Sequence, residues 1–198
     1  MLAHYMKDEA YTNEVVSGDV HTANQKAAGL ETRNQAKTFI YAFLYGAGDS
    51  KIGKITGGGA KEGQELKSRF LRNTPKLEEL RKTIAKLLLN KQTLPGLDGR
   101  RLHVRSEHSA LNTLLQGAGA IVMKKALVIL DQKLRDAGIK YKFVANVHDE
   151  WQIEVEASRA EEAGKLGVES IKEAGEAFSM RCPLTGEYRV GDNWKDTH

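Results

Sequence analysis

Cysteine and proline are scarce: the 198 residues hold one of the first and three of the second. A lone cysteine, Cys182, excludes an internal disulfide, so the fold must rest on its apolar core and suits a reducing compartment. No charged-then-apolar leader and no long uncharged apolar run is evident, so a cytoplasmic setting without a membrane role is expected. The six histidines and the cysteine show no zinc-ligand spacing, and no serine or cysteine sits in a nucleophile motif. Gly57-Gly58-Gly59-Ala60-Lys61 lacks both the spacing of a phosphate-binding P-loop and a strand before it. Internal repeats and low-complexity tracts are absent as well.

A 40% hydrophobic content is enough to bury a core. Charge is unevenly placed. Residues 31 to 105 hold 16 Lys and Arg against 7 Asp and Glu, a surplus of nine, whereas the whole chain carries +4. A basic middle third fits a polyanionic partner, or a solvated lysine-rich face.

Periodicity and glycine place the elements. Thr32 and Gln35 form a capping-box pair, and Ala36, Phe39, Ile40, Phe43 and Leu44 keep one apolar face until Gly46 and Gly48. Seven of the 19 glycines fall between Gly46 and Gly63, which predicts short helices joined by mobile turns rather than a packed unit. Thr74-Pro75 opens a helix carrying Leu77, Leu80, Ile84, Leu87 and Leu88. Asp98-Gly99 marks a hairpin turn, and Ser106 caps a long apolar helix ending near Asp136, before Gly138. Two strands, Tyr141 to Val147 and Trp151 to Val155, come next, then a polar helix from about Ser158 to Phe178 and an extended tail.

Three polar sets stand out against this frame. Arg33, Lys37, Tyr41 and Tyr45 recur every four residues, so two cations and two rings line one row of a helix. Such a row can hold phosphates at the positive N-terminal end and offer rings for base stacking, or it can be an ordinary solvated face. His148-Asp149-Glu150 lies between two apolar strands, where acids can serve Mg²⁺ or merely fill a turn. His108, Asn112 and Gln116 form a polar stripe, able to read minor-groove acceptors or to face water.

Taken together, Arg33-x3-Lys37-x3-Tyr41-x3-Tyr45-Gly46, His108-x3-Asn112-x3-Gln116 and Val147-His148-Asp149-Glu150 resemble, in order and separation, the motifs of family A DNA polymerases. Residues 32–48, Gly18-Asp19-Val20-His21-Thr22 and Gly96-Leu97-Asp98-Gly99-Arg100 resemble the bacteriophage replicative branch. The resemblance implies that His21, Arg33 and Lys37 hold the incoming triphosphate, with Tyr41 by the sugar and Tyr45 by the template-side stack. It further implies Asp149 as a Mg²⁺ ligand, Glu150 as its acidic neighbour and His148 as a primer-end contact. Asp149, Glu150 and Lys37 are then the catalytic set, and Asn112, Gln116 and His108 contact primer–template DNA.

One motif of that family is missing from these residues. Its other metal-binding aspartate stands in Asp-x-Ser-x-x-Glu-x-Arg, which does not occur here, and Met1-Leu2-Ala3-His4 resembles the residues directly after that motif. Asp8, Asp19 and Asp49 stand in contexts unsuited to replace it. The expected architecture is α+β: a palm-to-fingers segment over 1–26, helical fingers over 27–95 and a C-terminal palm portion over 96–198 bearing the His-Asp-Glu hairpin. The expected function is the C-terminal part of a template-directed DNA polymerase, a fragment or half of a split enzyme, inactive without an N-terminal partner portion. A non-catalytic DNA-binding module that kept the fold is the alternative.

Overall fold

The computed structural model describes residues 1–89 and 91–197. It is mixed helix and antiparallel strand, the α+β class expected, in the order α1 (Leu2–Met6), α2 (Glu9–Val16), α3 (Val20–Ala28), α4 (Arg33–Leu44), α5 (Asp49–Gly53), α6 (Ala60–Asn73), α7 (Pro75–Leu88), β1 (Thr93–Pro95), β2 (Arg101–His103), α8 (Ala110–Asp136), β3 (Tyr141–Val147), β4 (Glu150–Val155), α9 (Ala160–Ala177) and α10 (Trp194–Thr197). Two compact units form, Met1–Gly117 and the residues from Ala118 on, the division falling inside α8.

In the first unit the capping box predicted at α4 is formed: the Gln35 N–H donates to Thr32 Oγ1 and the Thr32 N–H to Gln35 Oε1, each at 3.1 Å. Ala36, Phe39, Ile40 and Phe43 of α4 are buried with Leu66 and Phe70 of α6 and Leu77 and Ile84 of α7 in one apolar cluster. Phe70 meets Phe39 and Phe43 edge-on, ring centroids 5.0 and 5.4 Å away. On α7, Leu77 and Ile84 turn inward while Leu87 is exposed, so its apolar stripe is narrower than the leucine count implies.

The glycine-rich stretch is a packed unit, which corrects the expectation of mobile turns. A Cβ on Gly53 would lie 1.8 Å from the Gly59 carbonyl oxygen, and one on Gly63 would lie 1.9 Å from that of Asp49. These glycines let α5 and α6 touch backbone to backbone, a use of the missing side chain distinct from turn formation. Helices α1, α2 and α3 precede the first element that periodicity had made clear. Asp8 and Asp19 cap the latter two, accepting from the Tyr11 and His21 N–H groups. The Asp98-Gly99 turn closes β1 onto β2 as expected, with Thr93 opposite His103 and Gly99 at φ 83°.

The second unit packs β3 and β4 with α9 and the later part of α8 around Leu130, Leu134, Ile139 and Ala163. The pairing shifts between Phe143 and Ala145, leaving Val144 as a bulge. Before the bulge Tyr141 and Phe143 share a face with Val155 and Ile153; after it Asn146 takes that face, and Val147 pairs with Glu150 on the other. Residues 107–136 are long and apolar enough on average to cross a membrane, with a mean hydropathy of 1.5 in the best window. Asn112, Gln116, Lys124 and Lys125 interrupt this stretch, and Leu111, Leu114, Leu130 and Leu134 are spent on the two cores.

Candidate nucleotide and nucleic-acid site

Arg33, Lys37 and Tyr41 stand exposed along α4 and Tyr45 caps its C-terminal end, so the row read from the sequence exists on the face opposite Phe39 and Phe43. Helix α3 lies beside α4 and brings His21 to the Tyr41 ring, centroids 6.4 Å apart. The His21 Nδ1 atom is buried without a hydrogen-bond partner. Four of the five residues to which the resemblance gives nucleotide contacts, His21, Arg33, Lys37 and Tyr41, thus sit on two adjoining helices, with Tyr45 at the end of the second.

Arg33 is not a loose surface cation. Its Nε donates to Asp19 Oδ2 at 2.7 Å and its Nη2 to Asp19 Oδ1 at 3.1 Å, a two-pronged pair. The Arg33 guanidinium first, then the Thr22 hydroxyl, hold the Asp19 carboxyl well below the usual carboxylate range. A depressed folded-state value means the pair's contribution is complete above the ordinary carboxylate pKa and fades only as pH falls below it. Sequence reasoning set Asp19 aside as unsuited to replace the missing metal ligand and gave it no role of its own. The overlooked signal was its place as helix cap, two residues before a histidine, within reach of an arginine that opens the next helix.

Gly46, at φ 76°, lets the chain after α4 pass under the start of α8: a Cβ there would lie 2.1 Å from the His108 carbonyl oxygen. Tyr45 and Gln116 meet at this place, Gln116 Nε2 donating to the Tyr45 hydroxyl at 3.3 Å. Asn112 is half-buried one turn earlier on α8. His108 is exposed in a 3-10 turn, Glu107–Ser109, that precedes the α-helix carrying Asn112 and Gln116.

In the second unit His148 and Asp149 form the two-residue turn joining Val147 to Glu150. His148 adopts φ 54°, one of three non-glycine residues with positive φ among the described residues. Hairpin turns of this length favour glycine where φ is positive, so the histidine is kept at a cost of about 1 kcal/mol or more. His148→Gly is therefore expected to raise stability by about 0.5–1 kcal/mol and His148→Val to lower it. Urea unfolding followed by the fluorescence of Trp151, which pairs with Asn146 beside the turn, tests this. Unchanged midpoints in both variants would show that the turn is unstrained.

Asp149 is exposed at the tip, and Glu150 is half-buried with Gln152 Nε2 donating to its Oε1. Among the described residues no three His, Cys, Asp or Glu side chains gather as a metal cage. The donor set still suits Mg²⁺, which takes one or two protein carboxylates and completes its shell with water and substrate phosphates. Asp149 fits one such ligand, and Glu150 adds negative charge beside it.

Comparison with known proteins bears on the family and the fold. The sequence profile of DNA polymerase family A matches residues 1–196. The DNA-directed DNA polymerase of Enterobacteria phage T3 is 43% identical over 224 aligned residues that cover all of this chain and 31% of that protein. The counterpart from Escherichia phage T7 is 42% identical with the same coverage, and DNA polymerase I of Aquifex aeolicus is 31% identical over 93% of the chain and 33% of its own length. The present chain spans about a third of the length of these relatives. Among solved structures, the POL domain of Pol1 from M. smegmatis, in complex with DNA primer-template and dNTP, superposes with a TM-score of 0.77 at 22% identity, over 87% of this chain and 34% of that one. With its whole length matched by one family and its fold shared with a solved member, the chain belongs to DNA polymerase family A.

Proposed function

We propose that this chain is the C-terminal fingers-and-palm portion of a template-directed DNA polymerase that joins a deoxynucleotide to a primer 3′ end. Residues 1–26 lead from palm to fingers, 27–95 form the fingers, and 96–198 supply the C-terminal part of the palm. The observation that carries the reading is the α4 row: two cations and two aromatic rings face outward on a helix whose other face is anchored by Phe39 and Phe43.

Arg33 and Lys37, near the positive end of α4, hold the triphosphate of a dNTP with His21, and Tyr41 lies against its sugar. Tyr45 offers its ring to the template-side stack. Asn112 and Gln116 donate and accept along the minor groove of primer–template DNA, and His148 meets the primer end. His108 reaches the backbone from its 3-10 turn. Asp149 would hold Mg²⁺ with carboxylates from elsewhere, and a bound metal supplies charge stabilisation to the transferring phosphoryl group. The chain's own residues bind and orient the nucleotide, and closure of α4 over it excludes water. The remaining carboxylate and the thumb come from an N-terminal portion, and the assembled enzyme acts in the cytoplasm, that of the host where the polymerase is phage-encoded.

Binding of primer–template to the isolated chain tests the reading. Contacts made through the basic residues between 31 and 105 release counterions, so about six of them would weaken affinity roughly a thousandfold between 50 and 200 mM salt. Fluorescence anisotropy with a labelled duplex should show that steep fall. Binding absent at low salt, or indifferent to salt, would overturn it. A second reading is a DNA-binding module that keeps the fold without catalysis. It predicts the same salt dependence but no synthesis after an N-terminal portion is added.

A further inference from the structure

The geometry points to Asp19 as a positioning residue that holds Arg33 and His21 in one arrangement to receive a polyphosphate. This rests on the nucleotide reading of α4 and deepens it. The Asp19 carboxylate is fully used. Oδ1 accepts the His21 N–H at 3.1 Å and Arg33 Nη2 at 3.1 Å; Oδ2 accepts the Thr22 hydroxyl at 2.8 Å and Arg33 Nε at 2.7 Å. Four donors fill the roughly four lone-pair positions of a carboxylate, which leaves none for a metal. Asp19 is thereby excluded as a substitute catalytic ligand and given a different task.

That task depends on which edge of the guanidinium is engaged. Asp19 takes the side-on edge, Nε and one Nη2 hydrogen. Three of the five N–H donors remain, two on Nη1 and one on Nη2, and they lie along the outer edge. Arg33 is half-exposed there, its side chain 53% accessible. A phosphate can therefore form a second fork without breaking the first. One carboxylate also caps α3, so the position of His21 and the direction of Arg33 are set by the same group. A long arginine side chain otherwise gives up considerable rotamer freedom on binding, and Asp19 removes that freedom in advance.

Asp19→Asn isolates the effect. Asparagine caps a helix about as well as aspartate, so α3 keeps its start, but its amide faces the guanidinium with donors and no charge. Simple electrostatics predicts that losing a negative charge tightens polyphosphate binding; positioning predicts the opposite sign. The probe is inorganic tripolyphosphate, titrated calorimetrically into the full chain at about 0.15 M salt, where long-range charge effects are screened beyond roughly 8 Å. Asp19→Asn should weaken binding roughly tenfold. Arg33→Lys keeps the charge but cannot form the fork, and should weaken binding to the same degree without touching the α3 cap. In the Asp19→Asn, Arg33→Ala double variant no loss beyond that of Arg33→Ala is expected, since the two act through one group. If Arg33→Ala weakens binding while Asp19→Asn and Arg33→Lys match the wild type or exceed it, the positioning role is wrong and the nucleotide reading stands. If Arg33→Ala and Lys37→Ala both bind as the wild type does, or the wild type does not bind, the nucleotide reading fails and Asp19 loses its role with it.

Discussion

Asp149→Ala is expected to lower primer extension a thousandfold or more when this chain is joined with an N-terminal polymerase portion that carries the Asp-x-Ser-x-x-Glu-x-Arg strand. Asp149 projects from a turn fixed by the Val147–Glu150 pair, on a hairpin whose opposite face is packed into a core. No group of three potential ligands surrounds it among the described residues. Its carboxylate would be one of few protein ligands to Mg²⁺, and losing a metal that stabilises transition-state charge costs several kcal/mol, about 4 for a thousandfold change in rate. The same reasoning predicts no meaningful extension by these 198 residues alone. Gel-resolved extension with each portion alone, with both, and with the variant separates the cases. Robust synthesis by this chain alone would show that its carboxylates are misassigned, and activity surviving Asp149→Ala would remove the metal role.

The His148-Asp149 turn and helix α4 were legible for different reasons. For α4, cap, apolar stripe and polar row all obey one helical period, so local and tertiary preferences agree. The hairpin was legible as two β-branched runs around a polar tripeptide, but its bulge at Val144 was not. A strand's alternation is read by assuming unbroken pairing, and only the partner strand reveals the shift that puts Val147 and Glu150 on the face away from the core. The glycines from Gly46 to Gly63 misled for a related reason. Glycine marks both freedom and close approach, and the choice depends on whether another backbone lies beside it, as it does at Gly53 and Gly63. For His108 the four-residue spacing assumed an α-helix, which starts only at Ala110 after a 3-10 turn. The partnership of Asp19 with Arg33 spans 14 residues and two helices, and no periodic rule connects them.

Phe70→Ala is expected to cost the first unit about 3–5 kcal/mol, the range for deleting a fully buried aromatic side chain. Phe70 is completely inaccessible to solvent, and its edge-on contacts with Phe39 and Phe43 add to what its buried area alone contributes. The surroundings are poorly placed to collapse into the gap. Phe39 and Phe43 belong to α4, whose start is pinned by the Thr32 capping box and the Asp19–Arg33 pair, and α6 is held against α5 by the Gly53 and Gly63 contacts. Against a typical domain stability of about 5–15 kcal/mol the loss is large enough to move the helical transition by many degrees. Both tryptophans, Trp151 and Trp194, lie in the second unit, so fluorescence follows that unit alone, while far-ultraviolet circular dichroism registers the helices of both and a shift seen only by dichroism reports the first. The circular dichroism midpoint in urea should fall strongly for Phe70→Ala and only slightly for Phe70→Leu, which refills most of the volume. Because α4 presents Arg33 and Lys37 from the face opposite these rings, tripolyphosphate affinity should fall alongside stability. A circular dichroism midpoint unmoved in Phe70→Ala would mean that the aromatic cluster does not anchor α4.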